Sequence, residues 1–297
     1  MRYFYYPGCS LEGTAVEYDA SARAVMEALG VELVEIEDWT CCGASAGDTA
    51  SALLSMVLPA RNLALAEKAG TGADVVIPCS ACYLNLKKVE DHTRRDEVLL
   101  KKVNLVLEEE HLSYRGESRP RHLLDVLATD IGAARIMGEV RIPLGGLRVV
   151  PYYGCQVLRP YRVFDDPEEP RSMEPLVEAL GARVFPWTMG AKCCGAGLMT
   201  TKKPLAMELV TALLQEARGA DCIVTVCPMC QMNLECFQKN ASDMAGEDLS
   251  ISVLYLPQLI GIALGIDWDR LRLKSNIAFK KPLQNKLHLL AMGNNAA

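Results

Sequence analysis

One arrangement of cysteines occurs twice in this chain, and it limits the possible folds more than any other feature. The first copy is Cys9, then Cys41-Cys42-Gly43, then Cys79-Ser80-Ala81-Cys82. The second is Cys155, then Cys193-Cys194-Gly195, then Cys227-Pro228-Met229-Cys230. Ten of the twelve cysteines fall into these two sets of five. The surrounding residues repeat too: Tyr5-Tyr6-Pro7-Gly8-Cys9 answers Pro151-Tyr152-Tyr153-Gly154-Cys155, and Trp39-Thr40 answers Trp187-Thr188. Asn85-Leu86 after the first C-x-x-C pair answers Asn233-Leu234 after the second. So many agreements at similar offsets point to one structural unit used twice.

The length, 297 residues with half of them hydrophobic, fits about two domains and a sizeable core. A net charge of -6 without a long basic run argues against a nucleic-acid partner. No charged segment followed by an apolar stretch opens the chain, and the apolar run at 253–266 is too short to span a bilayer. The expectation is a cytoplasmic protein without a membrane span.

Cysteines in this number suggest disulfides, zinc or an iron–sulfur centre. A reducing compartment and a large core disfavour disulfides, and neighbours such as Cys41 and Cys42 bond each other only with strained geometry. Structural zinc takes four ligands, which fits sets of five poorly. His92, His111, His122 and His288 all lie outside the cysteine blocks, so mixed His/Cys zinc sites are disfavoured. Thiolate-only sets suit iron–sulfur chemistry. A single C-x-x-C is a weak signal; two, each preceded by a CCG and a lone cysteine in the same order, are specific. A zinc-stabilised scaffold stands as the contrasting possibility.

The alternation of strand and helix patterns predicts an α/β fold of two pseudo-symmetric units with mainly parallel sheets. Each cysteine group falls where a strand gives way to a loop, the edge at which open parallel sheets bind ligands. The expected boundaries are 1–90 for the first unit, 91–146 for a helical connecting insertion that includes a helical stretch over 120–137, and 147–297 for the second unit. The tail beyond Asp267 reads as ordered against another subunit. Gly43 and Gly195 suit either the close approach of a cluster or substrate, or simply a tight turn. Cys222 and Cys236 face Val75 and Lys88 in the first unit and read as core residues.

With both motif sets intact over nearly the whole chain, the sequence resembles the CCG-domain family, and within it the B subunits of heterodisulfide reductases. Tyr5-Tyr6-Pro7-Gly8-Cys9 and the block from Ile36 to Ala44 carry the likeness. The resemblance implies two noncubane [4Fe–4S] clusters. One would be held by Cys9, Cys41, Cys42, Cys79 and Cys82, the other by Cys155, Cys193, Cys194, Cys227 and Cys230. It implies a disulfide substrate, such as the coenzyme M–coenzyme B heterodisulfide or a related one, bound between the clusters and reduced to two thiols. It also implies two heterodisulfide reductase-like partners, a [4Fe–4S] relay protein and a flavoprotein that feeds it. Gln156 stands where methanogen members carry a histidine, so the proton donor shifts to Lys192, Tyr152 or water, and the methanogen substrate is put in question. Gly43, Gly195 and Gln156 are the expected substrate contacts. The alternative within redox chemistry is an electron relay to another enzyme.

Overall fold

The computed structural model describes residues 1–44, 46–70 and 72–294. Two four-stranded sheets form the framework. The first contains β1 (Arg2–Tyr5), β2 (Glu32–Glu35), β3 (Val75–Ile77) and β4 (Pro120–His122), in the order β2-β1-β3-β4. The second contains β5 (Arg148–Tyr152), β6 (Arg183–Val184), β7 (Cys222–Thr225) and β8 (Ser252–Tyr255), in the order β6-β5-β7-β8. Every pairing is parallel, and the two orders are the same once the second sheet is renumbered. Helices cover both faces, so the central strands read as near-continuous apolar runs: Val75, Val76 and Ile77, and likewise Ile223 and Val224, are fully buried. The expected α/β class and the pseudo-symmetry are both present.

Four expectations change. The stretch 120–137 begins as a strand rather than a helix, and it lies within the segment read as a connecting insertion. β4 pairs with β3 at the sheet edge, with Ile77 opposite His122, just as Thr225 lies opposite Tyr255 in the second sheet. The segment 91–146 therefore contributes the edge strand of the first sheet, in the place that β8, followed by the helix Leu256–Ala263, takes in the second. Pro120-Arg121-His122 shows no apolar alternation, and proline opens only edge strands, so pattern alone hides it. The tail packs on its own chain: Leu271, Leu273, Leu283 and Leu287 are buried. Cys222 is a core residue of β7 as expected, whereas Cys236 is exposed.

One apolar cluster spans the two units, and a second lies within the second unit. The helix Val16–Ala28 of the first packs on the helix Leu256–Ala263 of the second, and Tyr18 stacks on Tyr255 with centroids 4.1 Å apart. The helix Gly132–Glu139 of the first unit packs reciprocally on Glu174–Ala179 of the second. A contiguous apolar cluster runs from Tyr5 and Ile77 through to Val224 and Leu254.

Glu235 is buried at the far end of the helix Pro228–Cys236. Desolvation pushes its carboxyl up to about 7, although the Ala278 N–H donates to Oε1 at 3.1 Å. The folded-state value lies above the ordinary 4.5, so this site's contribution is fully present below that value and is lost as pH rises through about 7. Glu235→Gln, which keeps the acceptor oxygen, is expected to remove that loss, on the order of 3 kcal/mol. Urea unfolding at pH 5 and pH 8 checks it; an unchanged difference between the two pH values rejects the assignment.

Candidate metal centres

Each cysteine set gathers at the carboxyl ends of its strands. Cys9 follows β1, Cys41 and Cys42 follow β2, and Cys79 with Cys82 follow β3; the second set repeats this on β5, β6 and β7. In the first set Cys42 Sγ lies 3.3 Å from Cys82 Sγ, and Cys9 Sγ lies 3.9 Å from Cys41 Sγ. In the second set Cys194 Sγ lies 3.5 Å from Cys230 Sγ, and the Gly195 N–H donates to Cys193 Sγ at 3.3 Å. None of the twelve cysteines is in a disulfide.

The residues that repeat between the units build the cradles. Tyr6 donates its hydroxyl to the Thr40 carbonyl at 2.7 Å, and its counterpart Tyr152 donates to the Lys192 carbonyl at 2.9 Å. Each tyrosine meets the matching tryptophan edge-on, Trp39 at 5.4 Å and Trp187 at 5.7 Å. The Asn85 side chain donates to the Cys42 carbonyl at 3.1 Å, and Asn233 to the Cys194 carbonyl at 2.7 Å. The two asparagines thus tie each CCG loop to the helix that follows the C-x-x-C pair. Their repetition was visible in the sequence; their task was not.

Glycine is required just before each lone cysteine. A Cβ on Gly8 would sit 2.9 Å from Cys82 Sγ, and one on Gly154 would sit 3.0 Å from Cys230 Sγ. Both glycines have positive φ, +72° and +74°. Gly43 and Gly195 also have positive φ, but what crowds them is protein: Leu58 Cδ1 at 2.8 Å and Ala206 Cα at 2.9 Å from a built Cβ. Both positions therefore make a tight turn against a packed helix.

The surroundings of the two sets differ. All five sulfurs of the second set line a cavity of about 160 Å³, together with Gln156 and, from the first unit, Ser80. Cys9 and Cys41 instead border an open cleft of about 580 Å³ rimmed by Glu12, Glu35, Glu37 and Asp38. Gln156 lines the cavity of the second set. Lys192 is exposed and does not line the cavity. Tyr152 is fully buried with its hydroxyl committed to a carbonyl, and desolvation, with the Cys230 and Cys194 charges beside it, pushes its pKa well above 10. It is a strut beneath the CCG loop rather than a proton donor.

The donor set suits an iron–sulfur group. Hydrogen bonding within the sets lowers some thiols toward ionisation: Cys42 to about 7, chiefly through Cys82; Cys193 to about 6, chiefly through Cys155; and Cys227 to about 7, chiefly through Cys230. Burial holds Cys9 up at about 11, and its neighbour Cys41 adds to the effect. The same hydrogen bonding within the sets pushes Cys82, Cys155 and Cys230 the other way, so it is the all-sulfur donor sets, the second lining one void, that suit a multi-iron group. Beside the first set, Thr40 Oγ1 is buried and, among the described residues, has no hydrogen-bond partner.

The comparisons with known proteins agree with this picture. The model of the cysteine-rich CCG domain matches residues 3–87 and 149–235. The chain is 36% identical over 283 residues to the membrane anchor of the 8-methylmenaquinol:fumarate reductase of Wolinella succinogenes, covering 93% of this chain and 96% of that one. It is 29% identical over 279 residues to a protein of Archaeoglobus profundus described as like the B subunits of heterodisulfide reductase, covering 91% and 93%. It is 28% identical over 296 residues to the B subunit of the ferredoxin:CoB-CoM heterodisulfide reductase of Methanosarcina mazei, covering 96% and 97%. A crystal structure of a hypothetical protein from Helicobacter pylori superposes with a TM-score of 0.72 at 15% identity, over 93% of this chain and 52% of that chain, and shows the shared fold alone. No helix among the described residues is long and apolar enough to cross a membrane. With both cysteine sets built alike and both matched by the same domain model, the chain belongs to the cysteine-rich CCG domain family.

Proposed function

We propose that this chain is the iron–sulfur subunit of a heterodisulfide reductase-like complex and that it reduces a disulfide to two thiols. The observation that carries the reading is the pair of equivalent five-thiol cradles, set at matching sheet edges and joined through one apolar cluster. The reaction takes in two electrons and two protons: R–S–S–R′ + 2e⁻ + 2H⁺ → RSH + R′SH. When bound, two [4Fe–4S] clusters, noncubane by family resemblance, supply one electron each.

The chain's own residues do the rest. Cys9, Cys41, Cys42, Cys79 and Cys82 hold one group, and Cys155, Cys193, Cys194, Cys227 and Cys230 the other. Asn85 and Asn233 fix the CCG loops, and Gln156 offers an amide at the second site to orient a ligand. Gln156 has no acidic proton and the Tyr152 hydroxyl is engaged, so protons enter from solvent, reached through the open cleft beside Cys9 and Cys41. Electrons arrive from the [4Fe–4S] relay partner, itself supplied by the flavoprotein. The reading places the protein in the cytoplasm.

A second reading, a relay to another enzyme, draws support from the 36% identity to a component of a fumarate reductase. A zinc-stabilised scaffold is disfavoured, because structural zinc takes four ligands and sets of five thiols fit that number poorly. The test is anaerobic purification, iron and acid-labile sulfide analysis, and assay of thiol release from small disulfides with a low-potential donor. Thiol release supports catalysis. Intact disulfides alongside reduction of a partner enzyme favour the relay, and zinc without sulfide overturns both.

A further inference from the structure

At the boundary between the units, one backbone carbonyl of the second unit accepts two hydroxyls of the first. It belongs to Val226, which stands between β7 and Cys227. Ser80 Oγ lies 3.2 Å from it, and the Tyr18 hydroxyl also lies 3.2 Å away. A carbonyl oxygen has two lone pairs, so the two bonds take up its accepting capacity. All three residues are buried. His122, fully buried at the end of β4, settles the direction of the Ser80 bond. The Leu124 N–H donates to His122 Nδ1 at 3.1 Å, which leaves the ring proton on Nε2. Nε2 lies 3.3 Å from Ser80 Oγ, so the ring donates, the serine accepts, and the serine's own proton goes to Val226. Tyr18 is steadied by its stack on Tyr255.

What the carbonyl holds is the start of the second C-x-x-C pair. The Val226 C=O and the Cys227 N–H belong to one planar peptide, so fixing the oxygen fixes that plane. Cys227 precedes Pro228, and a residue before proline is confined to extended backbone; its ψ is 126°. The setting left open is the tilt of the peptide plane ahead of Cys227, and the two hydroxyls determine it. Cys227 lines the enclosed cavity with the other four sulfurs of its set. The arrangement runs one way. In the place of Ser80 the second unit has Pro228, with neither a hydroxyl nor an N–H, and in the place of His122 it has Tyr255.

Resting on the reading of the cysteine sets as cluster cradles, we propose that Ser80 and Tyr18 are positioning residues supplied by the first unit to the second: together they hold the Val226 carbonyl, and through it the Cys227 peptide, in the orientation that retains the second iron–sulfur group. The second cradle is thus incomplete within its own unit, while the first receives nothing in return through Pro228 or Tyr255. Without the two hydroxyls the buried carbonyl is left unpaired, which is unfavourable, and the peptide turns to find another donor. Cys227 turns with it and leaves its set.

The test uses the full chain loaded with iron and sulfide, with no disulfide added. Electron paramagnetic resonance of the reduced chain follows the two clusters, and Cys193→Ser identifies the signal of the second set by removing it. Under a ferrous chelator, a double variant, Ser80→Ala with Tyr18→Phe, is expected to lose the second signal about tenfold faster than the unaltered chain, the effect of two buried hydrogen bonds. The first signal should decay at its usual rate, whereas a role confined to general stability would hasten both. Ser80→Thr, which keeps the hydroxyl, should retain the second cluster as the unaltered chain does. Tyr18→Phe alone, which keeps the ring and its stack, is expected to give about a threefold effect and decides the matter where the double variant does not fold. An unchanged second signal, or equal loss of both, overturns this inference alone. A chain that retains no iron overturns the cluster reading and this inference with it.

Discussion

Gly154→Ala is expected to strip the second cysteine set of its iron while the first set stays loaded. The alanine would need positive φ, which costs an L-residue roughly 1–2 kcal/mol. Its Cβ would also stand 3.0 Å from Cys230 Sγ. Backbone strain alone would be tolerable. The displaced sulfur is what matters, because Cys230 is buried against Cys194 and moving it takes one ligand out of the set. Gly8→Ala should do the same to the first set through Cys82. Iron and acid-labile sulfide per chain should fall by about half in either variant and further in the double variant, following the additivity of separate sites. Gly138→Ala, in a helix where a Cβ meets nothing within 4 Å, serves as the control and should keep full loading. Full iron content in Gly154→Ala would show that the cradle is looser than its geometry indicates.

Arg121→Ala carries the other large effect, on stability rather than loading. The Arg121 guanidinium, on β4, pairs with Asp125 and Asp130 and reaches Asp74 at 3.5 Å. The Asp125 side chain is 4% exposed, so removing its partner leaves a buried carboxylate uncompensated. Losses of that kind run to about 3–5 kcal/mol. Urea unfolding at pH 7 reads the change, and a loss below about 1 kcal/mol would mean that the network is a solvated surface cluster instead. The pH dependence supplies a second readout. Partial burial alone would raise the Asp130 pKa, yet hydrogen bonds from Arg121, Tyr3 and Thr129 hold it at about 2. The folded-state value is depressed, so its contribution is present above the ordinary 3.8 and disappears as pH falls toward 2. Arg121→Ala should therefore be less sensitive to acid across that window than the unaltered chain.

Much of the site was legible in the sequence because the same physical demands were written twice. A lone cysteine, a CCG and a C-x-x-C recurring in order place ten sulfurs without reference to the fold, and the structure gathers them as two sets. Tyr6 with Tyr152 and Asn85 with Asn233 were equally visible as repeats, but their roles as struts and ties depend on where strands end in space. β4 escaped notice because it is three residues long, opens with proline and carries arginine at its centre; pairing with β3, not its own pattern, makes it a strand. Tyr152 looked available as an acid for a related reason. Sequence shows a hydroxyl near cysteines, while only the fold shows the carbonyl of Lys192 receiving it. Ser80 was hidden most thoroughly, since its partner Val226 is 146 residues away.

The reciprocal helix contacts between the halves bear on how far the fold needs an unbroken chain. Helix Val16–Ala28 against Leu256–Ala263, and helix Gly132–Glu139 against Glu174–Ala179, pair topologically equivalent elements of the two units in exchanged roles, as the self-complementary contacts of symmetric dimers do. Each half thus presents to the other the same kind of surface, so the contact does not depend on the chain being continuous. Two separately expressed fragments divided at the exposed Gly145-Gly146 turn should accordingly find each other and rebuild the whole.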